Sequence, residues 1–108
     1  MSFGHLTDVR ELLDIDAGKE DEKISRILVL SNNWLDTFAP SEIISSLSTA
    51  TKDTAVNYHC VYLFRLSAEK YSGDYPAVAN EWRDAGVRTL KNGIRALGKL
   101  YKIYKVND

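Results

Sequence analysis

Asp21-Glu-Lys-Ile-Ser-Arg-Ile-Leu-Val-Leu-Ser-Asn-Asn-Trp-Leu-Asp-Thr-Phe38 carries the strongest periodicity in the chain. Ile24, Ile27, Leu28, Ser31, Trp34, Leu35 and Phe38 recur at helical spacing, which places one apolar stripe along an amphipathic helix. The spacing predicts a helix over 20–38. Glu20, Asp21 and Glu22 suit its positive N-terminal end, and Pro40 stops it soon after Phe38. Ser31 lies on the stripe, where a small side chain lets a neighbouring helix come close.

Outward from this helix the chain reads as further helices. Towards the N-terminus, Thr7 is a candidate N-cap, and Val9, Leu12 and Leu13 form a stripe of about two turns that Ala17-Gly18 ends. Towards the C-terminus, residues 41–52 are rich in Ser and Thr, which compete for backbone hydrogen bonds and weaken helix. Ser41 is placed to cap a single turn carrying Ile43, Ile44 and Leu47. A long helix is expected over 53–71. Ala55, Val56, Cys60, Leu63, Phe64 and Ser67 lie on one side, and Tyr58, Val61, Tyr62 and Leu66 occupy the rest. A helix apolar nearly all round is central in its fold or meets a second molecule.

Ser72-Gly73-Asp74 is a break, and Pro76 fits the first turn of a helix over 76–92. Val78, Trp82, Ala85, Gly86, Thr89, Leu90 and Gly93 form its stripe. Gly86 costs about 1 kcal/mol against Ala inside a helix, so a neighbouring backbone is expected to press on it. Asn92-Gly93 reads as the stop. The expected core is Ile27, Leu28, Trp34, Leu63, Phe64, Trp82 and Leu90.

The fold class is therefore all-α, a small bundle of about four helices over 1–98 with an extended C-terminal tail over 99–108. Lys99-Leu-Tyr-Lys-Ile-Tyr-Lys-Val106 has high β-propensity. It is expected to pair as an added strand with another chain. Tyr101 and Ile103 would lie on one face and Leu100, Tyr104 and Val106 on the other, with Lys99, Lys102 and Lys105 discouraging self-pairing.

Composition bounds the function. The 108 residues suffice for one domain with its own core. Cys60 is the single cysteine, which excludes an internal disulfide. No apolar run approaches the length of a membrane span, and the N-terminus lacks the features of a secretory signal, so a soluble intracellular chain without membrane partner is expected. The net charge of −1 is unevenly placed. Residues 1–23 hold seven acids and three bases, whereas residues 85–107 hold six bases and no acid. Unlike ends of this kind suit contact between copies, or a basic end facing nucleic acid.

Catalytic chemistry is not indicated. Gly93-Ile-Arg-Ala-Leu-Gly98-Lys99 has the spacing of a phosphate loop, but Leu100 stands where Ser or Thr must hold magnesium. His59 and Cys60 are adjacent, so on a helix they point about 100° apart and cannot act as base and nucleophile. His5 and His59 have no metal-ligand spacing. Asp14, Asp16 and Glu20 to Glu22 show no calcium-loop pattern and read as charges at helix ends. No enzyme activity, metal or cofactor is expected.

His5-Leu-Thr-Asp-Val-Arg-Glu-Leu-Leu-Asp-Ile15, followed by Glu20 to Phe38, resembles the opening of the head–tail connector (adaptor, or head completion) proteins of tailed viruses. That family places a short helix, an acidic turn and a longer helix with paired aliphatics, a small residue and then an aromatic. Val9, Leu12, Leu13, Ile24, Ile27, Leu28, Ser31, Trp34 and Leu35 stand at those places. Ala55 to Arg65 is similar to the family's central tyrosine-rich helix, and Trp82 to Ala85 with Leu90 to its last helix. The resemblance covers residues 5–92; the tail after Gly98 lies beyond it. It implies a structural virion protein at the head–tail junction, made in the host cytoplasm. Such a protein forms a ring, commonly a dodecamer, beneath the portal protein. The ring joins the capsid to the tail or stopper protein and extends a channel through which viral DNA passes without sequence-specific binding. Lys91, Arg95, Lys99, Tyr101, Lys102, Ile103, Tyr104 and Lys105 are the expected subunit or portal contacts. The alternative is a small helical nucleic-acid-binding regulator, with Arg88, Lys91 and Arg95 on one side of a helix.

Overall fold

The computed structural model describes the backbone of residues 2–69 and 77–105, and the side chains of residues 2–67 and 79–98. The elements are α1 (Leu6–Leu13), α2 (Asp21–Phe38), α3 (Ser41–Ser46), α4 (Thr49–Glu69) and α5 (Ala77–Lys105). Among the described residues there is no strand, so the all-α class stands.

α4 is the central element. α1, α2 and α5 all pack against it, which accounts for apolar residues on several of its faces. α2 runs antiparallel to α4: Cys60 Sγ lies 3.9 Å from the carbonyl of Ile24, while Leu35 packs with Ala55 and Val56. α5 is antiparallel to α4 as well. A Cβ on Gly86 would stand 3.3 Å from the carbonyl oxygen of Ala55, the close backbone approach that its position on the stripe predicts.

The interior divides into two clusters along the long axis of a 55 × 27 × 19 Å molecule. One gathers Val9, Ile24, Ile27, Cys60 and Val61, with Ile15, Leu63, Phe64 and Trp82 packed against it. The other gathers Leu35, Ile44, Leu47, Ala55, Val56 and Leu90, with Leu28, Trp34, Phe38, Ile94 and Leu97 alongside. Of the expected core, Ile27 and Leu90 are buried. Leu28, Trp34, Leu63, Phe64 and Trp82 are half-buried around them.

Several boundaries differ from the sequence reading. α1 begins at Leu6 with His5 as its N-cap, and no side chain caps it, so Thr7 lies inside the helix. It ends at Leu13, where Asp14 takes the left-handed conformation and its amide donates to carbonyls of the last turn. Pro40, not Ser41, occupies the N-cap of α3. α4 starts at Thr49 rather than 53, because Ser48 Oγ accepts a bond from the Thr51 amide at 3.1 Å and so caps it.

The largest correction concerns α5. The expected stop at Asn92-Gly93 is absent and the helix continues to Lys105. A Cβ on Gly93 would meet Leu47 Cδ2 at 3.0 Å and Thr51 Cγ2 at 3.1 Å, so this glycine serves close packing. Residues 99–105 are accordingly helix, not strand. Lysine at every third position also fits one helical face, and once a helix is nucleated each further residue adds easily. At 29 residues α5 is about 43 Å long, against about 32 Å for the 21 residues of α4, so its end projects as the tail of the bundle.

Candidate assembly surfaces

Exposed acids and bases are unevenly placed, with Lys19, Lys23 and Arg26 standing beside the acids of the Asp14–Glu22 turn. The turn from Asp14 to Glu22 hangs from the Val9–Ile24–Cys60 cluster at one end. The second half of α5 leaves the Leu35–Leu47–Leu90 cluster at the other. Arg10 pairs with Asp21 at 2.9 Å. Asp14, Asp16, Glu20 and Glu22 are exposed and form no ion pair with the described residues. At the opposite end Arg88, Lys91 and Arg95 are exposed on α5, and only Arg95 has a side-chain partner, Asn92 at 3.5 Å. The carboxylates Asp36 and Glu42 also lie at this end, on α2 and α3.

Lys91 and Arg95, two of the expected contact residues, are thus on an open face of one helix. Lys99, Tyr101, Lys102, Ile103, Tyr104 and Lys105 continue that helix as backbone; their side chains, and Val106 to Asp108, lie outside the described residues. The two-faced strand expected for this stretch does not form over 99–105. Gly93 to Lys99 is also continuous helix, so its phosphate-loop spacing forms no loop.

An N-terminal strap is the feature that sequence reasoning missed. The amide of Phe3 donates to Asn32 Oδ1 at 2.8 Å, and Asn32 Nδ2 donates back to the Phe3 carbonyl at 2.9 Å. The Gly4 amide donates to Asp53 Oδ1 and the His5 amide to Asn57 Oδ1, each at 2.8 Å. Gly4 has φ +84, and a Cβ there would stand 2.7 Å from Val56 Cγ1, so only glycine fits. The partners are 29 to 52 residues apart, out of reach of local pattern.

The strap brings Phe3 onto Lys52, whose Nζ sits 4.5 Å from the ring centroid. Lys52 is only 8% exposed. Together with Phe3, Asp36, Ser41, Ile44 and Ser45 it lines an open cleft of about 500 Å³. No pattern in the polar run Thr49 to Thr54 marks Lys52 as buried. On the outer face of α2, Val29 and Leu30 are 61% and 56% exposed, beside the stripe that the periodicity identifies.

His59 and Cys60 diverge on α4 as their adjacency requires. Cys60 is buried, and burial pushes its thiol up to about 12. His59 Nδ1 lies 2.9 Å from Ser31 Oγ, its ring stacks on Trp34 at 4.1 Å between centroids, and burial pulls its pKa down to about 4. Ser31 therefore does more than make room: it satisfies a buried ring nitrogen. Among the described residues no group of three His, Cys, Asp or Glu could hold a metal ion, and no helix is long and apolar enough to cross a membrane.

No known protein family, curated protein or solved structure matches the chain.

Proposed function

We propose that the chain is a head–tail connector subunit of a tailed virus, assembling as a ring under the portal protein, joining it to the tail or stopper and extending the DNA channel. The observation that carries this reading is the run of exposed Arg88, Lys91 and Arg95 on α5, at the opposite end of the helical unit from the exposed Asp14, Asp16, Glu20 and Glu22, which form no ion pair with the described residues. A closed ring uses a heterologous interface, in which one surface meets a different surface of the next copy. Charge that is segregated within a chain and unmatched there is complementary between copies placed head to tail. The resemblance over residues 5–92 supports the same reading, and the copy number of twelve rests on it alone.

The projecting end of α5 is the assembly element, with Lys91, Arg95 and residues 99–105 meeting a neighbouring subunit or the portal protein. Viral DNA passes the ring by its backbone charge, without base readout. The decisive experiment mixes the full chain with portal-bearing, DNA-filled capsids and images the portal vertex, beside a chain lacking residues 99–108. The full chain is expected as a ring at the vertex and the truncated chain is expected not to attach. Density absent with both chains, or equal with both, overturns the assignment or the role of the tail respectively.

Arg88, Lys91 and Arg95, exposed on one side of α5, are the observation that favours a nucleic-acid-binding regulator instead. Sequence-specific affinity for duplex DNA that survives physiological salt would support that reading over the ring.

A further inference from the structure

Residues 2–15 form an arm, the strap followed by α1, whose seat is built from distant sequence. Phe3 pairs with Asn32, the Gly4 amide with Asp53 and the His5 amide with Asn57. Arg10 pairs with Asp21 at 2.9 Å, and Val9 is buried with Ile24, Cys60 and Val61. Ile15 stays with the arm, since its amide donates to the Arg10 carbonyl at 2.9 Å and its side chain packs on the same cluster. The joint to the rest of the chain, Asp16-Ala-Gly-Lys-Glu20, is the opposite in character. All five residues are exposed, and no side-chain hydrogen bond or ion pair with the described residues holds them. The Lys19 amide donates to the Asp16 carbonyl at 3.2 Å, a bond within the turn itself. The turn closes on Glu20, the N-cap of α2, which stands at φ +61 with no side-chain cap bond. An N-cap residue is ordinarily extended, and the left-handed conformation is strained for a residue with a Cβ. Extending Glu20 relieves that strain and straightens the chain into α2, which carries the arm away from its own body.

We propose that two copies of the free chain exchange these arms reciprocally, the strap and α1 of each seating on α2 and α4 of the other. The inference goes beyond the connector reading and does not depend on it. A short joint under strain is the feature that invites such an exchange. Contact of two closed copies has little apolar surface to use, because Val29 and Leu30 are the large hydrophobics exposed among the described residues. Exchange needs no such surface: a contact already complementary within one chain becomes a contact between two. It places the buried Val9, with Leu6, Leu12 and Leu13 beside it, between the copies. Charge permits the two joints to lie side by side, since Lys19, Lys23 and Arg26 stand among the acids there. Extended, five residues span at most about 18 Å, which suffices where a twofold axis passes beside the joints.

The test uses full chains and the ion pair that bridges the joint. The unchanged chain is expected to sediment as a dimer at millimolar concentration, and a monomer there would overturn the exchange. A chain with Arg10→Asp and a chain with Asp21→Arg each place like charges across their own joint. Unfolded together and refolded as a mixture, they should pair with one another about tenfold more tightly than either pairs with itself, because exchange gives each introduced charge its opposite. A control mixture of Arg26→Asp with Glu42→Arg makes the same changes of net charge at exposed positions and should show no such preference. Equal preference in the two mixtures would overturn the exchange. Should a like-charge variant fail to fold, Glu20 decides. Glu20→Gly removes the strain of the closed turn and should weaken the dimer about tenfold. Glu20→Thr, β-branched and a good extended N-cap, should strengthen it. The same dissociation constant in all three chains would overturn the proposal. A ring at the portal vertex from a chain that shows no exchange would sink this inference and leave the connector reading intact. An exchanged dimer that forms no ring would do the reverse.

Discussion

His59 stays uncharged in its slot because protonation would place a cation between Trp34 and Ser31 with its solvation removed. The consequence for stability has a definite sign. In the unfolded chain the ring titrates near its ordinary 6.5, while in the folded chain it titrates at about 4. Between those values the unfolded state binds a proton that the folded state does not, so stability falls as pH falls through this window and levels off below it. Urea midpoints measured from about pH 7 to about pH 4 should decline, and His59→Gln should flatten that part of the decline which carboxylates do not share. An unchanged slope in the variant would mean that the ring is solvated. Gly4 offers a second test at the same scale. With φ +84 and a would-be Cβ at 2.7 Å from Val56 and 2.9 Å from Asn57, Gly4→Ala should cost about 1–3 kcal/mol in denaturation. Part of that cost comes from loosening the strap and with it the wall of the Lys52 cleft.

At the scale of the element, α5 separates what local sequence can say from what it cannot. Its glycines are chemically alike but their surroundings differ. A Cβ on Gly93 would stand inside van der Waals contact with Leu47 and Thr51, while one on Gly98 would meet no described residue within 4 Å outside its own helical turn. Gly98→Ala should therefore gain helix propensity freely, raising the far-UV helical signal and stability by up to about 1 kcal/mol. Gly93→Ala should gain the same propensity and lose it to crowding against the buried Leu47, ending neutral or destabilised in a thermal melt. Were residues 99–105 a strand, Gly98→Ala would add no helical signal. The stripe of α2 and the central place of α4 were legible because each follows from a repeat within one element. The end of α5 was not, since Asn92-Gly93 carries the same local signal whether it stops a helix or lets one pass a neighbour. The strap and Lys52 were illegible for a related reason: every bond that fixes them joins residues far apart in sequence.

At the scale of the whole molecule, charge is the property that the fold arranges. Folding does not pair the acids of residues 14–22 with the bases of α5; it holds them at opposite ends of a 55 Å body. A monomer gains nothing from that separation, because isolated exposed charges contribute little to stability. Two copies placed end to end gain attraction that is long-ranged at low salt and screened within about 10 Å at 0.1 M. Replacing Lys91 and Arg95 with Glu should leave the melting temperature nearly unchanged, since both side chains are exposed and Arg95 loses only a 3.5 Å contact with Asn92. The same double variant should weaken self-association measured by sedimentation, most strongly at low ionic strength, with the two chains converging as salt rises. The pairing of those outcomes is what discriminates. Lost stability would place the residues in the fold of the single chain. Unchanged association at every salt concentration would leave them facing solvent. A deficit that salt does not narrow would point to contacts made by the apolar parts of these side chains rather than by their charge. Only a salt-dependent loss of association at constant stability fits an acidic end of one copy seated against the basic end of the next.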